Sequence, residues 1–175
     1  MIGVTQSVFT NFEDREREWN FMIRVLFICH GNICRSPIAE AVFRNMVNEA
    51  HLENRFEIAS RATSREELGN DIYPPVRREL EAHFIPYDRH RRATQMTKAD
   101  YDRYDYLIGM DDWNIKSIFR IIGEDPDGKV YRLLDFTDHP GEIEDPWYTG
   151  NYHTVWNQIE EGCRSLLDFF KKNKF

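Results

Sequence analysis

Long apolar stretches, a cysteine framework and an excess of positive charge are all missing from this sequence of 175 residues. No apolar run approaches the roughly 18 residues that can span a bilayer, so we expect no membrane role. Three cysteines, an odd number, do not form a disulfide framework, and we therefore expect a reducing, cytoplasmic setting. The formal net charge of −7 disfavours binding to nucleic acid or to an anionic membrane as a main role.

What is present is the composition of an ordinary globular protein, with 41% hydrophobic and 14% aromatic residues. This length is enough for one domain with a full core and short for two. Residues 1–21 are charged and lack the apolar segment of a secretory signal, so we treat them as an N-terminal extension. A short helix around residues 13–19, a disordered tail and residues upstream of a misjudged start all stay open for it. Residues 22–175 are predicted to form a single domain.

Strand-like and helix-like segments alternate along that domain. The runs IRVLFIC, RFEIAS, YDYLIGM and KVYRLLD are typical of strands, and helical patterns follow them. This order predicts an α/β fold of three layers, in which a parallel sheet has helices on both faces. The working site of such a sheet lies beyond the carboxyl ends of its strands. The last helix has apolar residues at 3.6-residue spacing, at Val155, Ile159, Cys163, Leu166, Leu167 and Phe170.

The segment VLFICHGNICRSPIAEAVF, residues 25–43, is the most informative part of the sequence. Cys29 ends the first and most apolar strand, and Ser36 and Pro37 have the features of a helix N-cap and a first-turn proline. Anions bind well at a helix N-terminus, because free backbone N–H groups and the helix dipole point at them. The segment therefore predicts a nest for a phosphate-sized anion, formed by His30, Gly31, Asn32, Ile33, Cys34, Arg35 and Ser36.

The residue types in this loop indicate nucleophilic chemistry. Gly31 allows either a positive φ or a close backbone approach, and Asn32 tolerates the left-handed conformation. Arg35 offers a bidentate fork to an oxyanion. Dipoles that bind phosphate also stabilise a thiolate, so Cys29 at the base of the nest is positioned for in-line attack on phosphorus, which gives a phosphocysteine. The Ser36 hydroxyl is a candidate donor to that sulfur.

Cleavage of a phosphate ester also needs a group that gives and takes protons. The candidate is Asp145 in EIEDPWYTG, where Pro146 stiffens the following loop. Trp147 and Tyr148 are predicted to wall a slot deep enough for an aromatic ring. The simpler alternative for Asp145 is that it only opens a turn.

Simpler roles also exist for other candidates. A buried small hydrophobe is the alternative for Cys29, and Cys163 is assigned to the core because it lies on the apolar face of the last helix. Cys34 lacks a nearby histidine or a cysteine cluster, which argues against a zinc site. The basic run RHRR, residues 89–92, is interpreted as a solvated face.

In these motifs the chain resembles the low-molecular-weight protein tyrosine phosphatases. The similarity rests on the Cys-x5-Arg loop with its following serine and on the distant DPWY, with ASRATS and DYLIGMDDWN as further family-like segments. The resemblance implies a four-stranded parallel sheet of the flavodoxin-like phosphatase I type. It also implies hydrolysis without metal or cofactor, a phosphotyrosine protein or an aryl phosphate as substrate, and a monomer or weak dimer.

The same resemblance assigns roles by position. Cys29 would be the nucleophile, Arg35 the phosphate ligand and Asp145 the general acid and base. For Cys34, a reversible disulfide with Cys29 that protects the nucleophile, as in relatives, and a thiol without a role stay equally open. The residues implied to brace the loop are Asn32, Ser36 and Ser60.

The chain departs from the family pattern at three places. Glu66 stands about where relatives often have an aromatic residue, so one wall of the slot is missing or acidic. A bracing histidine of the family has no counterpart, since His90 in RHRRATQMT lies about one residue too early. Ile33 stands where phosphoarginine-selective relatives tend to carry threonine, which favours phosphotyrosine as the substrate group.

Three other functions remain as alternatives, namely phosphoarginine hydrolysis, arsenate reduction and non-catalytic phosphate binding. Arsenate reduction on this fold needs a further pair of resolving cysteines, and none lies between Cys34 and Cys163. A module that only binds phosphate is disfavoured, because the candidate catalytic residues are all retained, at Cys29, Arg35 and Asp145.

Overall fold

The structure, a computed structural model, describes residues 22–175, so the alternatives for the N-terminal extension lie outside the described residues. Its strands are β1 (Ile23–Cys29), β2 (Phe56–Ala62), β3 (Tyr106–Gly109) and β4 (Val130–Arg132). They form one sheet in the order β2-β1-β3-β4, and every neighbouring pair is parallel. The predicted four-stranded parallel sheet is therefore confirmed.

Helices fill the connections between the strands and follow the last of them. They are α1 (Arg35–Glu49), α2 (Pro74–Ala82), α3 (Lys98–Arg103), α4 (Asp112–Ile122), α5 (Pro146–Thr149) and α6 (Tyr152–Lys174). Two short 3-10 helices lie at Glu53–Arg55 and Leu133–Phe136. At the start of α3, Thr97 and Asp100 form a reciprocal capping box, which fixes the first turn of this short helix.

Two local predictions were wrong. Helix α1 begins at Arg35, so Ser36 lies inside the first turn and is not the N-cap, and its hydroxyl bonds across the preceding loop instead. The fourth strand ends at Arg132 and does not include the whole run KVYRLLD. The chain turns into a 3-10 helix there, because the Asp135 carboxylate accepts the backbone N–H of Arg132 at 3.1 Å and closes the turn.

Side chains along β1 alternate between two core layers, as expected for a strand that is buried on both faces. Val25 and Phe27 face the layer that contains α1, α2 and α6. Leu26 and Ile28 face the layer that contains α3 and α4. This arrangement confirms helices on both faces of the sheet. The six apolar positions predicted for the last helix are all buried, at Val155, Ile159, Cys163, Leu166, Leu167 and Phe170.

The strand register brings the segments that follow β1, β2 and β3 to one edge of the sheet. Cys29 pairs with Ala62, and Ile28 pairs with Gly109, so the three strands end at nearly the same level. Side chains that are about 30 and about 80 residues away from Cys29 in the sequence can therefore meet it at this edge. Among residues 22–175, none of the helices combines the length and the apolar character that crossing a bilayer requires.

Gly162 on α6 provides a test of this packing. A Cβ at this position would lie 2.5 Å from Cγ of Leu133. Replacing a helical glycine by alanine ordinarily stabilises a protein by roughly 0.5–1 kcal/mol, whereas overpacking a core costs about 1–3 kcal/mol. We expect overpacking to prevail, so that Gly162→Ala lowers the free energy of unfolding by about 1–2 kcal/mol in urea denaturation.

Glu161→Ala is the matched control, because Glu161 is exposed at the neighbouring position of the same helix. This change should alter the free energy of unfolding by no more than about 0.5 kcal/mol. A Gly162→Ala protein as stable as the wild type would show that α6 does not approach Leu133 this closely.

Candidate active site

The loop between β1 and α1 surrounds the sulfur of Cys29. Cys29 is the last residue of β1 and Arg35 the first of α1, so residues 30–34 connect them. The backbone N–H of Asn32 donates to Cys29 Sγ at 3.3 Å, and the Ser36 hydroxyl lies 3.0 Å from the same sulfur. These two contacts fix the position of the sulfur at the base of the loop.

Asn32 is the residue that shapes the loop. Its φ of 57° is the left-handed conformation that asparagine tolerates. Its Nδ2 donates to the hydroxyls of Ser36 and Ser60, each at 2.9 Å, and so ties the loop to α1 and β2. Gly31 does not have a positive φ and instead allows a close approach, since a Cβ there would lie 3.2 Å from Cγ of Glu67.

The side-chain oxygen of Asn32 is held by the segment after α2, which the sequence analysis did not connect to the loop. It accepts hydrogen bonds from Nη2 of Arg91 and from the backbone N–H of Thr94, the latter at 3.2 Å. For Arg91, the interpretation of RHRR as a solvated face was therefore wrong. His90 is exposed, and its backbone N–H bonds to Asp88 rather than to the loop.

Arg35 is buried and ion-paired on two sides. Its Nη1 donates to Asp111 at 2.6 Å and to the backbone oxygen of Ile143 at 3.0 Å, and its Nη2 donates to Asp145 at 3.1 Å. Burial alone would lower the pKa of this guanidinium. The negative charges of Cys29, Asp111 and Asp145 outweigh burial and raise the pKa, so the cation is firmly retained.

Asp111 is a site residue that the sequence analysis missed. It lies two residues after the end of β3 and caps α4, where its Oδ1 accepts the N–H of Asn114 at 2.7 Å. Its other oxygen binds Arg35. The rule that drew attention to Cys29, a polar residue at the carboxyl end of a buried strand before a helix, applies equally to Asp111 and would have found it.

Asp145 opens a turn, as its simpler interpretation predicts, and its side chain also reaches Arg35 at the end of the loop. It is the N-cap of α5, and its Oδ1 accepts the N–H of Trp147 at 3.0 Å. Its Oδ2 faces Arg35. The preceding residues are fixed to the sheet, because the N–H of Ile143 donates to the backbone oxygen of Met110 at 2.8 Å.

The pocket above Cys29 has both aromatic and acidic side chains in its lining. Trp147 is 54% exposed and Tyr148 is 84% exposed, and both line the pocket. The Trp147 ring also packs on Tyr73, with ring centroids 5.2 Å apart. Glu66 also lines this pocket, and its Oε2 lies 3.0 Å from Nε2 of His30, so the lining includes the acidic group expected from the sequence.

The three cysteines are free and buried. Burial, together with the charges of Cys29 and Asp145, raises the pKa of the Cys34 thiol well above its ordinary value, so Cys34 is a neutral thiol at physiological pH. Burial also raises the pKa of Cys163, which lies in the core. In the part of the chain that the structure describes, no group of three or more His, Cys, Asp or Glu side chains is arranged to hold a metal ion.

This fold and this loop are shared with known proteins. Residues 24–175 match the family of low molecular weight phosphotyrosine protein phosphatases, and the chain belongs to that family. The low molecular weight protein-tyrosine-phosphatase YfkJ of Bacillus subtilis is 37% identical over 155 residues, which cover 87% of this chain and 99% of YfkJ.

Solved structures agree with the sequence comparison. The crystal structure of YfkJ aligns with a TM-score of 0.85 and covers 88% of this chain and 98% of its own. SP-PTP, the low molecular weight protein tyrosine phosphatase of Streptococcus pyogenes, aligns with a TM-score of 0.76 at 34% identity. That alignment covers 88% of this chain and 95% of SP-PTP.

Proposed function

We propose that the protein hydrolyses phosphate monoesters through a phosphocysteine on Cys29, with phosphotyrosine as the preferred substrate group. The observation that supports this most is the convergence of Cys29, Arg35 and Asp145 on one pocket. A nucleophile, an oxyanion ligand and a proton donor are the groups that this reaction needs. The relatives described as protein-tyrosine-phosphatases are in agreement.

In the first step the Cys29 thiolate attacks phosphorus opposite the ester oxygen. The S–P bond forms while the P–O bond to the leaving group breaks. The Asp145 carboxyl group gives its proton to the leaving oxygen, so that an alcohol or phenol departs. The backbone N–H groups of the loop and the guanidinium of Arg35 stabilise the charge on the three remaining oxygens.

In the second step water attacks the phosphocysteine. The Asp145 carboxylate takes a proton from this water while the new O–P bond forms and the S–P bond breaks. Inorganic phosphate leaves and the thiolate is regenerated. The Ser36 hydroxyl is suited to stabilise the departing sulfur, because its oxygen already accepts from Asn32 and its hydrogen is free for Cys29.

Arg35 changes its partner when substrate binds. Nη1 is anchored by Asp111 and by the backbone oxygen of Ile143, which keeps the guanidinium in place. Nη2 donates to Asp145 at 3.1 Å. A phosphate dianion competes with Asp145 for Nη2, and the displaced carboxyl group becomes available as the proton donor.

The preference for phosphotyrosine is based on the pocket walls. Trp147 and Tyr148 offer aromatic surface to a phenyl ring, and Ile33 adds an apolar side chain to the lining. Arsenate reduction is not favoured, because it needs resolving cysteines and Cys163 is buried in the core. We also propose a cytoplasmic setting, in which the Cys29 thiol stays reduced.

Trapping the intermediate tests the proposed function directly. The wild-type protein, incubated with a 32P-labelled aryl phosphate and quenched in acid, should carry label on Cys29. Cys29→Ser should lose label and reduce hydrolysis of p-nitrophenyl phosphate by at least roughly a thousandfold, since the nucleophile is removed. Cys163→Ser is the control and should keep the label. Equal hydrolysis by wild type and Cys29→Ser would leave only a phosphate-binding module.

Asp145→Asn tests the proton donor. Asparagine keeps the size of the side chain but cannot supply a proton, so the loss should depend on how much the leaving group needs one. We expect kcat to fall by about 100-fold or more with phosphotyrosine and much less with p-nitrophenyl phosphate. An equal loss with both esters would mean that Asp145 is not the acid.

A direct comparison of two phosphorylated amino acids tests the substrate preference. The kcat/KM for a phosphotyrosine peptide should exceed that for the same peptide with phosphoarginine by at least about tenfold, the usual effect of a well-fitted apolar wall. Ile33→Thr should narrow this ratio, while Ile85→Thr, remote from the pocket, should not. A wild-type preference for phosphoarginine would overturn the assignment.

A further inference from the structure

Arg91 holds Asn32 at two points. Its Nη2 donates to the side-chain oxygen of Asn32 and also to the backbone oxygen of the same residue, the latter at 3.1 Å. Asn32 is the one loop residue with a left-handed φ. A single donor that binds both oxygens fixes the side chain relative to the backbone, so Arg91 restrains the conformation of the loop itself.

A chain of hydrogen bonds leads from Arg91 to the sulfur. Because Arg91 and Thr94 both donate to Oδ1 of Asn32, the amide must present Nδ2 on its other side. There Nδ2 donates to Ser36, whose hydroxyl hydrogen is then free to point at Cys29. Rotation of the Asn32 amide would reverse this order and remove a donor from the sulfur.

Stability alone does not account for an arginine here. Its Nη1 is buried and has no hydrogen-bond partner among residues 22–175, which is unfavourable for a charged group. Burial lowers the pKa of Arg91 and the charge of Arg61 acts in the same direction, while the charges of Glu40, Cys29 and Asp71 oppose it. A guanidinium nevertheless stays protonated in proteins. The position therefore holds a permanent cation close enough to interact with the Cys29 charge.

We infer that Arg91 is a positioning residue of this active site, which orients the Asn32 amide and adds a permanent positive charge to the surroundings of the Cys29 thiolate. The inference builds on the proposed function, in which that thiolate is the nucleophile. A histidine at this position would titrate between about pH 5 and 8 and would lose its charge as pH rises. Arg91 makes the bracing of the loop independent of pH.

Three substitutions separate geometry from charge. Arg91→Met removes both the donors and the charge, Arg91→Lys keeps the charge with a different donor geometry, and Arg91→His makes the charge dependent on pH. Two quantities should be measured from about pH 5 to 8. One is kcat/KM for p-nitrophenyl phosphate, and the other is the rate at which iodoacetamide alkylates Cys29, followed by peptide mass spectrometry.

The expected results follow from the two roles. Arg91→Met should lower kcat/KM by roughly 10- to 100-fold, the range found when groups that orient active-site ligands are removed, and should slow alkylation of Cys29 most at the acidic end. Arg91→Lys should recover part of the alkylation rate. The activity of Arg91→His relative to Arg91→Met should be highest near pH 5 and should decline as the imidazole loses its proton.

Arg89→Met is the matched control, because Arg89 is exposed in the same basic run, where it pairs with Glu81 and lies over the Tyr87 ring. It should retain wild-type values for both measurements. If all Arg91 variants lost activity without any change in alkylation or in pH dependence, Arg91 would be a structural residue only and the inference would be wrong. Thermal unfolding of each variant shows whether a loss of activity comes from unfolding. If Arg91→Met does not fold, the activity and alkylation rate of Arg91→Lys test the role of Arg91 instead.

This experiment can fail separately from the proposed function. Alkylation reports on the Cys29 sulfur even if no ester is hydrolysed. Label trapped on wild-type Cys29 together with unchanged alkylation in Arg91→Met would keep the phosphatase and reject the role of Arg91.

Discussion

The hydrogen bonds of one side-chain amide, that of Asn32, determine the shape of the loop on which this site depends. Residues 30–34 pass directly from a buried strand to a helix. In this loop Asn32 adopts the left-handed conformation and bonds through its side chain to β2, to α1 and to residues 91–94. A buried polar network of this kind favours one conformation of the loop. The position of the Cys29 sulfur is therefore a property of several elements of the fold together.

The parallel sheet explains why partners so distant in sequence meet at this point. Strand β1 lies between β2 and β3, so residues at the carboxyl ends of all three surround the loop. Ser60 comes from β2, Asp111 follows β3, and Asp145 belongs to the segment tied to Met110. The loop and the start of α1 are tied to these elements by hydrogen bonds and ion pairs. The site is thus pre-organised by the strand order and its register.

Most of the architecture could be predicted from periodicity, since alternating apolar strands and amphipathic helices leave few arrangements open. Ser36 shows where local rules fail. A serine before a proline has the pattern of an N-cap, but the hydroxyl of Ser36 bonds across the loop to Asn32 instead. Asp111 could have been predicted from its place after β3. The contact of Arg91 with Asn32 could not have been predicted, because a run of four basic residues is typical of a solvated surface. In the structure, the bridge between Ala62 and Gln95 brings this segment beside β2. The contacts that decide the site are the long-range ones, which periodicity does not report.

In the proposed reaction, the charges around Arg35 couple substrate binding to the chemistry. The guanidinium donates to both Asp111 and Asp145. A dianion that takes over Nη2 removes this cation from Asp145 and places negative charge next to it. In that reaction, the substrate therefore frees from Arg35 the carboxyl group that gives the proton. Asp111 stays paired with Nη1 throughout, so the arginine keeps its orientation while its second partner changes.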